Sequence, residues 1–200
     1  MMKTEQQKEK LLRFADKNGG VITTKIVTKI GISRSLLSLM VRKKELIKVE
    51  RGIYILPNGV DDELFSLQNR FTRIIFSHET ALYLSGYSDQ TPLKYTVTVP
   101  KGYNSQNLLE ICNVIQVSEE FYNVGVETVK TIYGQKVKTY NVERTLCDML
   151  RNGNDRNVQI ILPALKKYVD DPKRDLLKLF KYARILHVES KIQQYMEILI

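Results

Sequence analysis

The sequence predicts an α+β chain: an N-terminal winged helix-turn-helix, then a mixed α/β C-terminal domain with a small sheet and a helical tail. Three observations carry this. Residues 1–57 join three amphipathic helical stretches to a short apolar hairpin, residues 94–140 hold β-rich pieces separated by turns, and the spacing from residue 141 onward is helical. The expected organisation is therefore a first domain over 1–57, a polar, turn-rich hinge over 58–63 ("NGVDDE" lies in this stretch), and a second domain over 64–200.

Each element has its own local warrant. A first helix is expected over Thr4–Lys17, with Leu11, Leu12, Phe14 and Ala15 on one side, stopped by "NGG"; Val21 and Ile22 make a very short extended piece. Thr23 can cap a second helix through Ile30, and Gly31 suits the left-handed residue that ends it. Ser33 is the expected cap of a third helix, with Ile32 placed to pack on Leu37 as a hydrophobic staple. Leu36, Leu37, Met40 and Val41 then face inward, while Arg34, Ser35, Ser38 and Arg42 share the opposite face. "LIKV" and "IYIL" read as two strands joined across "ERG", with Gly52 supplying the bend.

Past the hinge, a helix is expected over Leu64–Ile75 and another from a Ser77 cap to about Ser85, ended by Gly86. "KYTVTVP", "EICNVIQV", "VETVKTIYG" and "QKVKTYN" read as strands of a small mixed or antiparallel sheet. Asn141 caps "VERTLCDMLR"; "NVQIILPALKKYV" reads as a helix interrupted or restarted near Pro163. A further helix is expected with Asp171 as cap and Pro172 in its first turn, and a last one carries Ile192, Tyr195, Met196 and Leu199 inward.

Charge points to a partner. Residues 1–57 hold 13 Lys and Arg against 5 Asp and Glu, an excess of +8, whereas residues 58–200 hold 18 against 17. A compact basic segment meets phosphates well, because neutralising them releases condensed counterions. On the third helix, long donors and small hydroxyls fit a DNA major groove: Arg34 and Arg42 can reach guanine edges, and Ser33, Ser35 and Ser38 can serve base or phosphate. Lys43, Lys44 and Lys48 would sit near the backbone, and Arg51 at the wing tip could enter a minor groove. A winged domain can also be a folding unit or a protein-contact module; the charge concentrated here favours DNA.

Other classes are disfavoured. No apolar run approaches a membrane span, and "MMKTEQQKEKLLRF" lacks the pattern of a signal peptide, so a cytoplasmic protein is expected. Cys112 and Cys147 have no metal or redox spacing and read as reduced, buried thiols. There is no phosphate-binding glycine loop, nucleophile elbow or histidine pair, and the Glu189, Ser190, Lys191 run falls on a helix, so neither an enzyme nor a cofactor or metal is expected. His78 reads as a packing or capping residue.

Three features together resemble the AbiEi antitoxins of bacterial abortive-infection toxin–antitoxin operons. They are the winged helix ending "RGIYIL", the segment "FSHETALYLSGYSDQTPLKYTVTVP", and "YNVERTLCDMLR" followed by a helical tail. The resemblance implies a transcriptional autorepressor binding repeats in its own promoter, and an antitoxin opposing a nucleotidyltransferase-type toxin. Arg144 and Asp148, four apart in "ERTLCD", can bridge as a structural ion pair. Lys166, Lys167, Arg174, Lys178, Lys181 and Arg184 form a basic stripe opposite Leu176, Leu177, Phe180 and Ala183, a candidate antitoxic surface that could touch the toxin, RNA or flanking DNA, with a solvated helix face as the alternative. The alternative is an ordinary winged-helix repressor whose C-terminal domain senses a ligand or dimerises.

Overall fold

Apolar residues at helical spacing gather the first three helices around one core. In a computed structural model, which describes residues 2–104, 106–151 and 155–199, α1 spans Met2–Lys17, β1 Val21–Thr23, α2 Thr24–Lys29, α3 Arg34–Arg42, β2 Ile47–Glu50, β3 Ile53–Ile55 and α4 Glu63–Arg70. Leu11, Ala15, Ile22, Val27, Ile32, Leu37 and Met40 are buried in one cluster. β1 and β2 flank β3, both antiparallel to it; Lys48 pairs with Tyr54 and Glu50 with Ile53, so Val49 is an extra residue that bulges the hairpin.

The remaining elements are β4 Ile75–Phe76, α5 His78–Leu84, β5 Thr96–Pro100, α6 Gln106–Leu109, β6 Asn113–Val117, α7 Glu119–Tyr122, β7 Val126–Lys130, β8 Lys136–Tyr140, α8 Val142–Arg151, α9 Asp155–Asp170, α10 Leu176–Ile185 and α11 Glu189–Leu199. Their sheet has the order β6-β5-β4-β8-β7 and is mixed: β4 is antiparallel to β5 and parallel to β8, and β5 is parallel to β6. Helices α8 to α11 close around Leu146, Met149, Leu165, Tyr168, Leu179, Ala183, Ile192 and Met196. The chain is α+β, with N-terminal helices, two sheets and a C-terminal helical tail.

The chain divides into two compact units, residues 1–72 with 130–137, and residues 73–129 with 138–200. The hinge expected at 58–63 lies inside the first unit. Asp62 is buried there; its carboxylate accepts from the Phe65 backbone N–H at 3.1 Å, capping α4, and from the Thr131 hydroxyl. The Gln135 side chain donates to the Asn18 carbonyl at 2.6 Å, which holds the turn after β7 in the same unit. A polar, turn-rich composition alone does not distinguish a hinge from a segment whose polar groups are all engaged.

Several elements differ from expectation. The helix expected over Leu64–Ile75 stops at Arg70, and Ile75–Phe76 form β4 between β5 and β8. β-branched and aromatic residues suit a strand buried on both faces, and long-range pairing overrides the helical spacing. The helix around Pro163 is continuous over 155–170. α10 begins at Leu176, not near Pro172, because Asp175 is its cap, accepting from the Lys178 N–H at 2.9 Å. Asp171 instead accepts from the Lys173 N–H at 2.8 Å and from the Tyr87 hydroxyl. Leu177, expected inward, is 88% exposed, and Leu179 takes the core position.

Candidate nucleic-acid interface

The basic N-terminal segment builds its candidate surface from local backbone signals. Thr23 caps α2 by accepting from the Ile26 N–H at 3.3 Å, and α2 gives way at Gly31, whose φ of +74° no β-carbon opposes. Ser33 then caps α3, accepting from the Ser35 N–H at 3.3 Å. Ile32 and Leu37 are both buried in the same cluster, as a staple requires. This turn fixes the direction of α3 and hence which residues point outward.

The outward face of α3 is the one expected. Leu36, Leu37 and Met40 are buried, while Arg34, Ser35, Ser38 and Arg42 are exposed. Arg34 is pre-positioned: its Nε and Nη2 both donate to the Thr28 hydroxyl of α2 at 3.2 Å. The Ser33 hydroxyl is engaged with that of Ser35 at 2.6 Å as well as with the cap, so its role is to start the helix. Lys43 ends α3, and Lys44 follows with a φ of +58°; both are exposed.

Beyond α3, the β2–β3 hairpin carries Lys48 and Arg51 on exposed positions. Its bend is tied to α2, since the Thr24 N–H donates to the Gly52 carbonyl at 2.9 Å. Gly52 has φ +85°, and a β-carbon there would lie 2.9 Å from the Thr24 hydroxyl, so glycine is required twice over. Part of the basic excess serves the scaffold: Lys8 pairs with Glu45 at 2.7 Å, and Lys10 donates to the Ile30 carbonyl at 3.1 Å.

The C-terminal basic residues are a less uniform set. Lys178 is paired at 3.0 Å with Glu143, a buried carboxylate; Arg184 pairs with Glu189 at 2.7 Å, and Lys167 approaches Asp89 at 3.9 Å. Arg174 precedes α10 and donates to the Asp171 carbonyl at 3.4 Å, while Lys166 and Lys181 are exposed on α9 and α10. The stripe is thus spread over two helices and a turn.

Arg144 and Asp148 form the expected bridge, Nε to Oδ2 at 2.9 Å, with both side chains inside the protein. Arg144 Nη1 also donates to the Phe121 and Val124 carbonyls at 2.7 and 3.0 Å, and its guanidinium lies 4.5 Å from the Tyr140 ring centre. His78 is buried, has a φ of +52°, and contacts the Ser77 hydroxyl at 3.2 Å. Burial pushes its pKa down and Arg144 acts in the same sense, against the opposing influence of Asp148 and Glu79. Cys112 and Cys147 are free, buried thiols; burial raises them to about 11 and about 12. Among the described residues, no three or more His, Cys, Asp or Glu side chains are grouped to hold a metal ion, and no helix is long and apolar enough to cross a membrane.

No curated protein matches the chain. Residues 9–57, the segment containing α2, α3 and the hairpin, match the family described as "Transcriptional regulator, AbiEi antitoxin".

Proposed function

We propose that this chain, matched to the AbiEi antitoxin regulators over its basic N-terminal segment, is an antitoxin and a transcriptional autorepressor of its own toxin–antitoxin operon. Its N-terminal unit acts as a winged helix-turn-helix on double-stranded promoter DNA with repeated half-sites. In this reading α3 lies in the major groove. Arg34, Ser38 and Arg42 read base edges, with Ser35 beside them; Lys43, Lys44 and Lys48 contact phosphates, and Arg51 on the hairpin reaches the adjacent minor groove. The antitoxin role opposes a nucleotidyltransferase-type toxin in phage abortive infection, in the cytoplasm. The candidate antitoxic surface is the basic set around α9 and α10.

The observation that supports DNA binding best is the exposed face of α3, where Arg34, Ser35, Ser38 and Arg42 stand opposite a fully apolar inner face beside a basic hairpin. Operator binding by the full chain tests it. Arg34→Ala should cost about 1–3 kcal/mol and relax sequence preference, whereas Lys43→Ala should weaken all DNA about equally and flatten the salt dependence. Unchanged operator affinity in the Arg34, Ser38 and Arg42 triple alanine variant would remove α3 from the interface. Growth rescue by that same variant, with the toxin expressed from an unrelated promoter, separates antitoxicity from repression.

A further inference from the structure

We infer that the second unit carries a binding site for a small organic phosphate of nucleoside-monophosphate size, a site separate from the proposed promoter-binding function. A cleft of about 430 Å³ opens in this unit, lined by residues from α5, β5, β6, α7 and α8 and the segments beside them. That volume lies within the roughly 300–1,000 Å³ usual for small-molecule sites.

The lining has two chemistries. Lys101, just after β5, and Arg151, at the end of α8, are exposed cations on the cleft wall. Asp148 also lines it, but its charge is already matched by Arg144 at 2.9 Å, so the cleft keeps a positive excess. Ile115, Val117 and Phe121 supply an apolar wall, and the Arg151 guanidinium lies 5.1 Å from the Phe121 ring centre. Two cations suit a phosphate dianion, and the apolar wall suits a flat organic body attached to it.

An independent observation marks the same place. Thr98 is only 1% exposed and lines the cleft, yet its hydroxyl has no hydrogen-bond partner among the described residues. It sits on β5 between β4 and β6, paired with Ile75 and Ile115, where valine would fit the strand equally well. A buried hydroxyl without a partner destabilises the free protein, and a ligand oxygen in the cleft would satisfy it. His78, on the same wall, is engaged with the Ser77 hydroxyl at 3.2 Å, and burial disfavours its protonated form.

Calorimetric titration of the full chain with 5′-AMP, 5′-GMP, adenosine and inorganic phosphate tests the site. The monophosphates should bind saturably, with adenosine and inorganic phosphate each at least about tenfold weaker, because each lacks one half of the recognised chemistry. Lys101→Ala and Arg151→Ala should each weaken monophosphate binding by about tenfold or more. Thr98→Val should weaken binding while leaving the melting temperature of the free protein unchanged or higher, a combination that a purely structural threonine would not give. The Arg34, Ser38 and Arg42 triple alanine variant should bind monophosphate normally. The assignment is overturned by any of three results: no saturable binding at millimolar monophosphate, binding indifferent to both Lys101→Ala and Arg151→Ala, or inorganic phosphate bound as tightly as the monophosphates. Loss of binding in the triple variant would also overturn it, by placing the phosphate on the DNA-binding face.

Discussion

Replacing Asp148 by alanine should cost the second unit about 3–5 kcal/mol, because it strands a buried guanidinium. The magnitude follows from how Arg144 is satisfied. Its side chain is fully buried; Nη1 donates to two carbonyls, Nε to Asp148, and Nη2 has no partner among the described residues. Without Asp148 the cation keeps its backbone acceptors but loses its counter-charge, and Nε joins Nη2 unpaired. Gly125 packs against the base of this side chain, where a β-carbon would lie 2.7 Å from Arg144 Cβ. Thermal and urea unfolding followed by circular dichroism should show a drop in melting temperature on the order of 10 °C. Arg144→Met should be destabilising too, since it strands the Phe121 and Val124 carbonyls, and the double substitution should cost less than the sum of the singles by about 1–3 kcal/mol. If Asp148→Ala stays within about 0.5 kcal/mol of the parent, the bridge does not hold the unit together and the reasoning fails.

Three further outcomes are expected. Gly52→Val should cost about 1–3 kcal/mol in urea unfolding, from the φ of +85° and the 2.9 Å approach to Thr24, while Arg51→Ala should leave the unfolding midpoint in place and weaken only promoter binding. Burial lowers the pKa of His78 in the folded state, so the unfolded chain takes up its proton first as pH falls. The contribution of His78 is therefore complete above the ordinary value of 6.5 and is lost below it; His78→Asn, which tolerates the left-handed backbone, should remove up to about 1.4 kcal/mol per pH unit from the slope of stability against pH. Lys178→Glu should destabilise by on the order of 2–4 kcal/mol, because it sets a like charge against buried Glu143, while Lys181→Glu should be nearly neutral by the same melting assay.

What the sequence revealed depended on how local the signal was. The Ser33 cap, the Gly31 turn, the staple and the Gly52 bend are each written within a few residues, and each appears where expected. β4 was not legible, because "FTRIIF" continues the helical spacing of Leu64 and Leu67, and a two-residue strand is held only by partners far along the chain. The start of α10 differs for a related reason: "DDPKRD" offers three aspartates, Asp170, Asp171 and Asp175, and Tyr87, 84 residues from Asp171, bonds the second of them while the third caps the helix. The cleft lay beyond reading altogether. His78, Thr98, Lys101, Phe121 and Arg151 share no spacing, and only the sheet brings them to one wall.

The burial of α8 decides which charges can be tested as an antitoxic surface. Residues 143–150 are buried, including Glu143, Arg144 and Asp148, so the polar residues of "ERTLCD" are turned into the protein. Glu143 draws in Lys178, which ties one member of the basic stripe to the core. A loss of protection on reversing Lys178 would therefore report a damaged fold as readily as a lost contact. Lys166 and Lys181 are exposed and, among the described residues, in no ion pair, and Arg174 touches only a turn carbonyl. Reversing these three in the full chain should leave the melting temperature unchanged, so the toxin-rescue assay then reads the surface itself. Loss of rescue by a variant that melts normally and still binds its promoter would place the antitoxic contact on this face. Full rescue by it would exclude the face, and would turn attention to surfaces that carry no excess charge.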